Sequence, residues 1–551
     1  MPERRDRGHG TVKDGDESSG STSETTIGRI FDYLGLTADP PVWPPDAFAL
    51  SIHLLERSGA YTHAVADWPP YDSNAPGSQR AQARDWTDKM RTLGAEWRRR
   101  AVDRDDPPSE ILDRWNRVVR SRNKLISKLR QNHDLVAALL EICAAADEAS
   151  DGVGLPAKDG EAPDSYNLVA WTLLETRGTL SERIDPSSLR ILPKLHTPQV
   201  GMTVRSLSHN LAAIVAPDVD VRWQVVASCE HASWNLLLVP WPVGILPNQF
   251  SEATGLLRNM EEKEFGFFTF TSRPDRDKLP RLLRLYDNAK SLVDTIDGVI
   301  FPELALGDDE YERIKGEIVD RRRAFLIAGT GRSARDGQLG RNTVRFDFPF
   351  VGGTAAYVEP QHKHHRWRLD GQQIAQYGLD GSLPRTKSWW ECISIDDRRL
   401  TFVALDPWMT VCVLICEDLA RQDPVASLVR SVGPNLVIAL LMDGPQLAAR
   451  WSARYATVLA DDPGCSVLTL TCAGMVDMCR GPQRFLDSRF VALWKDRESG
   501  GPFEINLPAN ADGLVLRLRT GRIEEWTADG RSDDSATGRP ILAGVYPVTA
   551  G

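Results

Sequence analysis

The sequence has no long apolar run, and this absence bears first on where the protein is found. Even an apolar segment such as Asn435–Met442 is far shorter than the roughly 20 residues that cross a bilayer. The N-terminal residues Met1–Gly10 carry charges without an apolar run behind them, unlike a secretory signal. We therefore expect a soluble, cytoplasmic protein that has no membrane partner.

Cysteine is sparse, and its spacing argues against two kinds of site. The chain has eight cysteines in 551 residues, with neither the paired spacing of metal ligands nor the density of a small disulfide-stabilised domain. His362, His364 and His365 offer imidazoles but lack separated acid or cysteine partners, so we expect no metal. We interpret the cysteines as reduced thiols.

The chain also lacks an overall basic charge and a glycine-rich phosphate loop. The net charge is -10 at pH 7, which is not typical of a nucleic-acid binder, although a local basic surface is compatible with it. Because we find no glycine-rich phosphate loop, the sequence does not predict a nucleotide-binding domain.

The length of 551 residues is too great for one ordinary core, and an apolar content of 42% is enough to bury two or three units. Changes of pattern along the chain suggest where these units begin and end. We predict a disordered tail over residues 1–27, a helical domain and connector over 28–225, an α/β domain over 226–520 and an exposed tail over 521–551.

The clearest predicted helix covers residues 109–131 and is strongly basic. Its apolar residues follow helical spacing, and it contains no acid between its first and last basic residue. A solvated helix face is the simpler interpretation, but a nucleic-acid or acidic protein partner is the alternative. The basic residues are Arg114, Arg117, Arg120, Arg122, Lys124, Lys128 and Arg130.

Strands alternate with helices from about residue 226 onward, which predicts an α/β layer fold. Most strand-like runs are continuously apolar, as expected for strands that are buried on both faces. We expect Leu514–Leu518 to add an edge strand.

Three residues with reactive side chains lie at or near the ends of such strands. Glu303 ends the run Gly298–Pro302, Lys363 lies in the His362–His365 segment, and Cys416 ends the run Thr410–Ile415. The carboxyl ends of strands are where α/β folds build their sites. A strand-to-helix turn also leaves backbone N–H groups free and favours a thiolate.

A thiol, a carboxylate and an ammonium together could attack a carbonyl or nitrile carbon. The thiolate would form the new bond, the carboxylate would move the proton to the leaving nitrogen, and the ammonium would stabilise the developing negative charge. Each residue alone has an ordinary structural interpretation, and Lys387 is a second candidate for the lysine.

The segments Phe301-Pro-Glu-Leu304 and Leu414-Ile-Cys-Glu-Asp-Leu419, with the lysine between them, resemble the nitrilase or carbon–nitrogen hydrolase superfamily. The Cys-Glu-Asp sequence is most similar to the glutaminase branch of NAD synthetases. The resemblance extends over about Phe265–Leu518. It implies a four-layer αββα sandwich, here preceded by a mainly helical domain, and members that commonly form homo-oligomers.

The resemblance also implies residue roles. Glu303 would be the general base, Lys363 the oxyanion stabiliser and Cys416 the nucleophile. Many members have a second glutamate after the lysine, and Asp370 is the nearest acid to that position. We expect Asp370, Glu417 and Trp408 to contact the substrate.

The leading hypothesis is therefore a hydrolase of a non-peptide carbon–nitrogen bond, acting on a small amide rather than a nitrile through a cysteine thioester. This chemistry requires no cofactor. The alternative is a catalytically silent nitrilase-like interaction or regulatory module, by analogy in a bacterial defence system, whose basic helical half binds a partner or nucleic acid.

Overall fold

The computed structural model describes residues 25–66, 68–157, 162–215, 219–226, 231–254, 264–273, 275–335, 337–349, 358–479 and 489–551. The predicted disordered tail lies almost wholly outside the described residues, since only its last residues, 25–27, are among them. No described helix is both long and apolar enough to cross a membrane.

Helices form the first part of the chain, as the sequence predicted. The longest helix, α4, begins directly after Ser78. Ser78 is its N-cap, because its side chain accepts a hydrogen bond from the backbone N–H of Ala81. Helix α6 is buried over most of its length, because it packs against α2, α4 and α5. The helices are α1 (Ile27–Tyr33), α2 (Pro44–Ser58), α3 (His63–Ala66), α4 (Gln79–Asp103), α5 (Ser109–Arg120), α6 (His133–Glu148) and α7 (Ser165–Arg177).

The prediction of one continuous helix over 109–131 was wrong. Helix α5 buries Ile111, Trp115 and Val118 at helical spacing but ends at Arg120, and a separate 3-10 helix covers Ile126–Gln131. The backbone between these two helices bonds to α1 instead of continuing a helix: the carbonyls of residues 122 and 124 accept hydrogen bonds from the first two residues of α1. A tertiary contact therefore overrides a helical pattern here.

Two seven-stranded sheets form the second part. The first has the strand order β10-β9-β8-β7-β4-β19-β20 and the second has the order β18-β17-β16-β15-β14-β13-β3. The strands are β3 (Asp220–Val225), β4 (Ser233–Leu238), β7 (Gly298–Leu306), β8 (Phe325–Arg332), β9 (Arg341–Asp347), β10 (Gln361–His362), β13 (Arg399–Asp406), β14 (Met409–Ile415), β15 (Leu436–Leu441), β16 (Ser466–Thr471), β17 (Phe490–Lys495), β18 (Phe503–Asn506), β19 (Gly513–Ile523) and β20 (Thr537–Val548).

Helices cover the outer faces of the two sheets, while the inner faces contact each other through β7 with β15 and β16. Strand β7 shows how the layers share residues: Ile300 lies in the core that joins the sheets, and Val299 and Phe301 pack towards the helices. These helices are α8 (Lys278–Val293) and α9 (Asp308–Lys315) on the first sheet and α12 (Trp451–Asp461) on the second, while α11 (Ser427–Val432) packs beside β2 (Leu211–Ile214). The predicted α/β sandwich preceded by a helical region is confirmed.

Smaller elements complete the chain. A hairpin of β1 (Arg190–Pro193) and β2 (Leu211–Ile214) links the helices to the sandwich, and a four-stranded sheet of order β11-β12-β6-β5 lies beside it. Its strands are β5 (Phe250–Glu252), β6 (Phe265–Phe270), β11 (Arg368–Leu369) and β12 (Ser388–Glu391); two short helices, α10 (Gly371–Gln376) and α13 (Ala473–Met478), also belong to the second part.

The C-terminal residues are not an exposed tail, and residues 514–518 are not an edge strand. Strand β19 lies between β4 and β20, so β20 is the edge. Residues between these two strands are buried as well, including Glu525, Asp529 and Arg531. The prediction failed because an acid-rich, weakly apolar segment was taken to be solvated.

Arg531 is fully buried and joins this C-terminal hairpin to the helices. Its guanidinium contacts Asp147 at 2.9 Å and Glu148 at 2.6 Å, both at the end of α6, and Asp529 at 3.2 Å within the hairpin. It also donates to the carbonyl of Leu207 at 2.7 Å. We call Arg531, Asp147, Glu148 and Asp529 the junction cluster.

Candidate active site

The three predicted catalytic residues come from both sheets. Glu303 lies on β7 and Lys363 directly follows β10, in the first sheet, whereas Cys416 directly follows β14, in the second. All three are buried, with exposed fractions of 2%, 0% and 3%. The site therefore lies in the space where the inner faces of the two sheets meet.

Backbone strain is found at two positions of this site. Cys416 has a φ of 48° and Leu304, next to Glu303, has a φ of 53°, both in the left-handed region that residues with a side chain rarely adopt. Such strain persists where surrounding structure enforces it, and it is common at nucleophiles on sharp strand-to-helix turns. The strain thus occurs at, or next to, two of the residues that the sequence had singled out.

The irregular stretch of β7 at Glu303 depends on a close approach from the neighbouring strand. A side chain at Gly329 on β8 would place its first carbon 2.4 Å from the carbonyl oxygen of Pro302 and 2.5 Å from Cα of Glu303. Both distances are shorter than atoms tolerate, so only glycine lets β8 run this close. The irregular register between β7 and β8 occurs at the same place.

Lys363 is held between two carboxylates. Its ammonium lies 2.8 Å from Glu303 Oε1 and 2.8 Å from Glu391 Oε2. The amide of Asn342 donates to Glu303 Oε1 and to Glu391 Oε1, at 2.7 Å each. One cation and one amide thus bridge two carboxylates, and Glu303 and Lys363 are brought together as the sequence suggested.

Sequence reasoning missed Glu391 and Asn342, and it proposed Asp370 where the structure has Glu391. Asp370 is exposed and caps α10, accepting from the backbone N–H of Gln373 at 2.9 Å. Glu391 lies 28 residues after Lys363, at the end of β12. The available signal was an acid within the otherwise apolar run Trp389–Ile393.

The charges of this cluster shift one another's pKa values. Burial raises the pKa of Glu303 above its usual value; the ammonium of Lys363 opposes this and the carboxylate of Glu391 adds to it. Burial would lower the pKa of Lys363, but Glu303 and Glu391 outweigh it and raise that pKa well above its usual range. Lys363 is therefore a permanent cation in the folded protein.

Cys416 is close enough to feel these charges. Burial and the carboxylate of Glu303 raise the pKa of its thiol well above the usual value, while Lys363 lowers it in part. The resting thiol is consequently protonated and needs a base before it can attack a carbon atom.

Glu303 has an oxygen available for that proton. Its Oε1 accepts from Lys363 and Asn342, whereas its Oε2 is buried and has no hydrogen-bond partner among the described residues. A buried acceptor without a partner lowers the stability of the fold, so its presence is best explained by a function. The arrangement can accept one proton at Glu303 and hold one positive charge at Lys363.

The remaining predicted residues differ in their placement. Trp408 directly precedes β14, whereas Cys416 directly follows it, so the two lie at opposite ends of that strand. The seven strand residues between them make eight steps, which separate the two by roughly 26 Å. Glu417 follows Cys416 directly and pairs with Arg421 at 2.6 Å.

Lys387, the second candidate for the lysine, lies 5.6 Å over the ring of Trp389, so Lys363 alone of the two contacts the carboxylates. His364 and His365 make hydrogen bonds to protein groups, at Arg399 and Asp418. Within the described ranges, no group of three or more His, Cys, Asp or Glu side chains could hold a metal ion.

The chain is similar in structure to several solved carbon–nitrogen hydrolases. An amidase from Nesterenkonia sp. matches with 13% identity and a TM-score of 0.31 over 53% of this chain and 92% of its own. Nit3 of Saccharomyces cerevisiae, a member of branch 10 of the nitrilase superfamily, matches with 12% identity and a TM-score of 0.31 over 50% and 86%.

A glutamine-dependent NAD+ synthetase from Acinetobacter baumannii matches with 10% identity and a TM-score of 0.32 over 57% of this chain but only 48% of its own length. No protein-family model matches the sequence, and no curated protein does.

Proposed function

We propose that the protein is a hydrolase of the nitrilase superfamily that cleaves a non-peptide carbon–nitrogen bond, with Cys416 as nucleophile, Glu303 as general base and Lys363 as oxyanion stabiliser. The observation that carries this proposal is the buried Glu303, which has one oxygen bound to Lys363 and the other without a partner, close to a strained cysteine. An amide is the preferred substrate class, and a nitrile is the alternative.

The first half of the reaction forms a thioester. The thiol proton of Cys416 passes to Glu303 Oε2 as sulfur attacks the carbonyl carbon, and the oxygen of that carbonyl becomes negatively charged. Lys363 and the backbone N–H of Glu417 would donate to this oxyanion, each worth about 3 kcal/mol of barrier. The carbon–nitrogen bond then breaks, and Glu303 returns the proton to the leaving nitrogen, which departs as ammonia or an amine.

The second half consumes water. Glu303 removes a proton from a water molecule as its oxygen attacks the thioester carbon, and the sulfur leaves when the tetrahedral intermediate collapses. The carboxylic acid is released and the proton returns to the Cys416 sulfur. The residues end in their starting state, so no cofactor is consumed.

The test uses the thiol directly, because the substrate is not known. Iodoacetamide should alkylate Cys416 stoichiometrically at neutral pH, as read by intact mass and peptide mapping, and Cys416→Ala should remove that modification without unfolding the protein. Cys412 is a matched control, since it is also buried but packs within strand β14 and should stay unmodified. An inert Cys416 in the folded protein would rule out this function.

Cys416→Ala should also abolish hydrolysis of any amide found by screening with ammonia detection. Unchanged turnover by this variant would rule out the mechanism. A homo-oligomer stays a prediction, which sedimentation of the purified protein would check. A cytoplasmic location also stays a prediction.

A second candidate function concerns the helical part. We define the basic face as Arg117, Arg120, Lys124, Lys128 and Arg130, all exposed and none with an acidic partner among the described residues. The neighbouring Arg114 and Arg122 are paired, with Glu141 and Asp32. Five unpaired cations favour an anionic partner, in particular a nucleic-acid backbone, over a purely solvated surface.

Replacing all five residues of the basic face by glutamate should abolish binding to labelled single-stranded or duplex DNA and RNA, and wild-type binding should weaken steeply with salt. The matched control is Arg84→Glu with Lys89→Glu on the exposed side of α4, which should change binding much less. Wild-type protein that binds none of these nucleic acids at low salt would rule out this candidate function.

A further inference from the structure

Lys363 lies on a short and weakly anchored piece of chain. Strand β10 has only two residues, Gln361 and His362, and it is the edge of its sheet, paired with β9 alone. The backbone N–H of Lys363 adds one more bond to this pairing, at 2.9 Å to the carbonyl of Asn342. These contacts fix Lys363 relative to its own sheet, but the nucleophile belongs to the other sheet.

Gln361 connects Lys363 to that second sheet from one side. Its side chain is fully buried. Its Oε1 accepts from the backbone N–H of Thr401 on β13 at 2.9 Å, and its Nε2 donates to the carbonyl of Val413 on β14 at 2.8 Å. Both ends of one amide are therefore used to hold β10 against the strand that leads to Cys416.

Asp418 makes the corresponding connection from the other side. It lies two residues after Cys416 and is 1% exposed. Its two carboxylate oxygens accept from the backbone N–H of His364 at 3.2 and 3.1 Å, and Oδ1 also contacts His365 Nδ1 at 2.9 Å. The turn that carries the nucleophile thus holds the residues that directly follow Lys363.

His364 strengthens this second connection. Its Nε2 lies 2.7 Å from the carbonyl of Arg399 at the start of β13, so that nitrogen must carry the proton and donate. The segment 361–365 therefore contacts the second sheet on both sides of Lys363, while Lys363 itself points to Glu303 and Glu391.

We propose that Gln361 and Asp418 are positioning residues that fix the ammonium of Lys363 relative to the thiol of Cys416 across the two sheets. We call this pair the inter-sheet clamp. The inference rests on the proposed function, because it assigns Lys363 and Cys416 their roles in one reaction. It adds two residues that touch neither substrate nor reacting atoms.

The physical reason lies in the unequal forces on Lys363. Two carboxylates attract its ammonium, whereas the protonated thiol attracts it weakly. Without the clamp, the short edge segment would be free to shift. The ammonium of Lys363 would then move towards the two carboxylates and away from the thiol of Cys416. Cys416 would then lose the influence of the Lys363 ammonium, which lowers its pKa, and the oxyanion would lose a donor.

The experiment measures how the alkylation rate of Cys416 by iodoacetamide depends on pH in folded variants. Asp418→Ala and Gln361→Met should each move the midpoint of the profile to higher pH by about one unit, which is about tenfold in rate at neutral pH. Asp418→Asn keeps an oxygen that can accept from His364 and should restore part of the rate. The matched control is Gln249→Met, because Gln249 also bonds one backbone N–H and one backbone carbonyl, at Leu246 and Thr271.

A purely structural role makes a different prediction, and a double variant separates the two. If the clamp acts through Lys363, then Asp418→Ala and Gln361→Met should have no further effect on the profile in a Lys363→Met background. Folded clamp variants with the wild-type profile, or equal shifts with and without Lys363, would overturn the inference. Should one variant fail to fold, the other carries the same test, with Asp418→Asn as the mildest change.

The outcomes also separate this inference from the function beneath it. A wild-type Cys416 that does not react removes both. A wild-type Cys416 that reacts, and is slowed by Glu303→Gln but not by the clamp variants, leaves the proposed function standing and removes the clamp alone.

Discussion

The candidate active site and the junction cluster are built from similar parts but end in different states. Each has one fully buried cation, Lys363 or Arg531, in contact with two carboxylates from other elements. In the junction cluster, no buried side-chain nitrogen or oxygen of the four described residues lacks a hydrogen-bond partner. Asp147 accepts from the backbone N–H groups of residues 209, 210 and 211 in addition to its ion pair.

The active-site cluster is incomplete by comparison. Glu303 leaves Oε2 without a partner among the residues that the structure describes, and a thiol lies close enough to feel its charge. Buried ionic groups are therefore weak evidence for function when all their hydrogen bonds are made. A free acceptor beside a nucleophile is the feature that distinguishes a reactive cluster from a structural one.

The largest expected effect comes from removing the free acceptor. Glu303→Gln should slow Cys416 alkylation and any amide hydrolysis by about 10²- to 10⁴-fold, because a general base typically contributes that much. Asp147→Asn makes the same chemical change in the junction cluster and should leave the alkylation rate of the folded protein unchanged. Equal effects of the two changes on alkylation would break the comparison.

The complementary change is at the cation of the junction cluster. Arg531→Met should lower the free energy of unfolding by about 3–5 kcal/mol, because it leaves the three carboxylates of the junction cluster without this charge partner. Denaturant titration would measure the loss. The alkylation rate of the fraction that remains folded should match the wild type, and a specific loss of thiol reactivity would show that the two clusters are coupled.

Asp46 on α2 tests whether an unpartnered oxygen is sufficient by itself. Its Oδ2 is buried without a partner among the described residues, as in Glu303, and burial raises its pKa from 3.8 to about 6. The folded state thus holds the proton more tightly than the unfolded state. Its stabilising contribution is present below pH 4 and is lost as the pH rises through about 6, which amounts to about 3 kcal/mol.

Asp46→Asn should remove that loss, so the variant should be more stable than the wild type above pH 6 and similar to it near pH 4. Urea titrations across this pH range would measure the difference. Thiol alkylation should not change, since Asp46 lies on α2 in the helical part and its carboxylate accepts from Ser181. A wild type and variant with parallel pH dependence would contradict the assignment.

The smallest effect is expected at the second carboxylate of the active site. Glu391→Gln keeps the shape of the side chain but weakens one of the two ion pairs of Lys363, so we expect about a tenfold loss of hydrolysis, corresponding to about 1.4 kcal/mol. The pKa of the lysine should fall, which NMR titration of its ammonium would detect. Rates at or above the wild-type value would show that one carboxylate is enough.

The sequence allowed the local signals of the site to be predicted but not the contacts between distant parts. Cys416 directly follows a strand and Glu303 lies in the irregular second half of β7, and in both cases a few neighbouring residues are enough to mark them. Glu391 and Asn342 are marked less clearly, because their role depends on bonds between distant residues: Asn342 donates to Glu303, 39 residues before it, and to Glu391, 49 residues after it. The catalytic roles themselves stay predictions.

The same limit explains the errors in the fold. Helix α5 ends where its following turn binds the first residues of α1, which no local pattern reveals. Residues 524–539 look solvated because they are charged, yet Arg531 is buried where the helices supply Asp147 and Glu148. Charged residues are misjudged from sequence when their partners are hundreds of residues away.

The position of β19 has a consequence for how the chain folds. This strand joins β4 to β20, although some 280 residues separate it from β4 in sequence, and Arg531 follows it by only a few residues. The sheet and the buried carboxylates of α6 are thus completed by a hairpin that lies far along the chain from both. Contacts of such long range are slow to form, so the helices must wait for the C-terminal hairpin before their acids are neutralised.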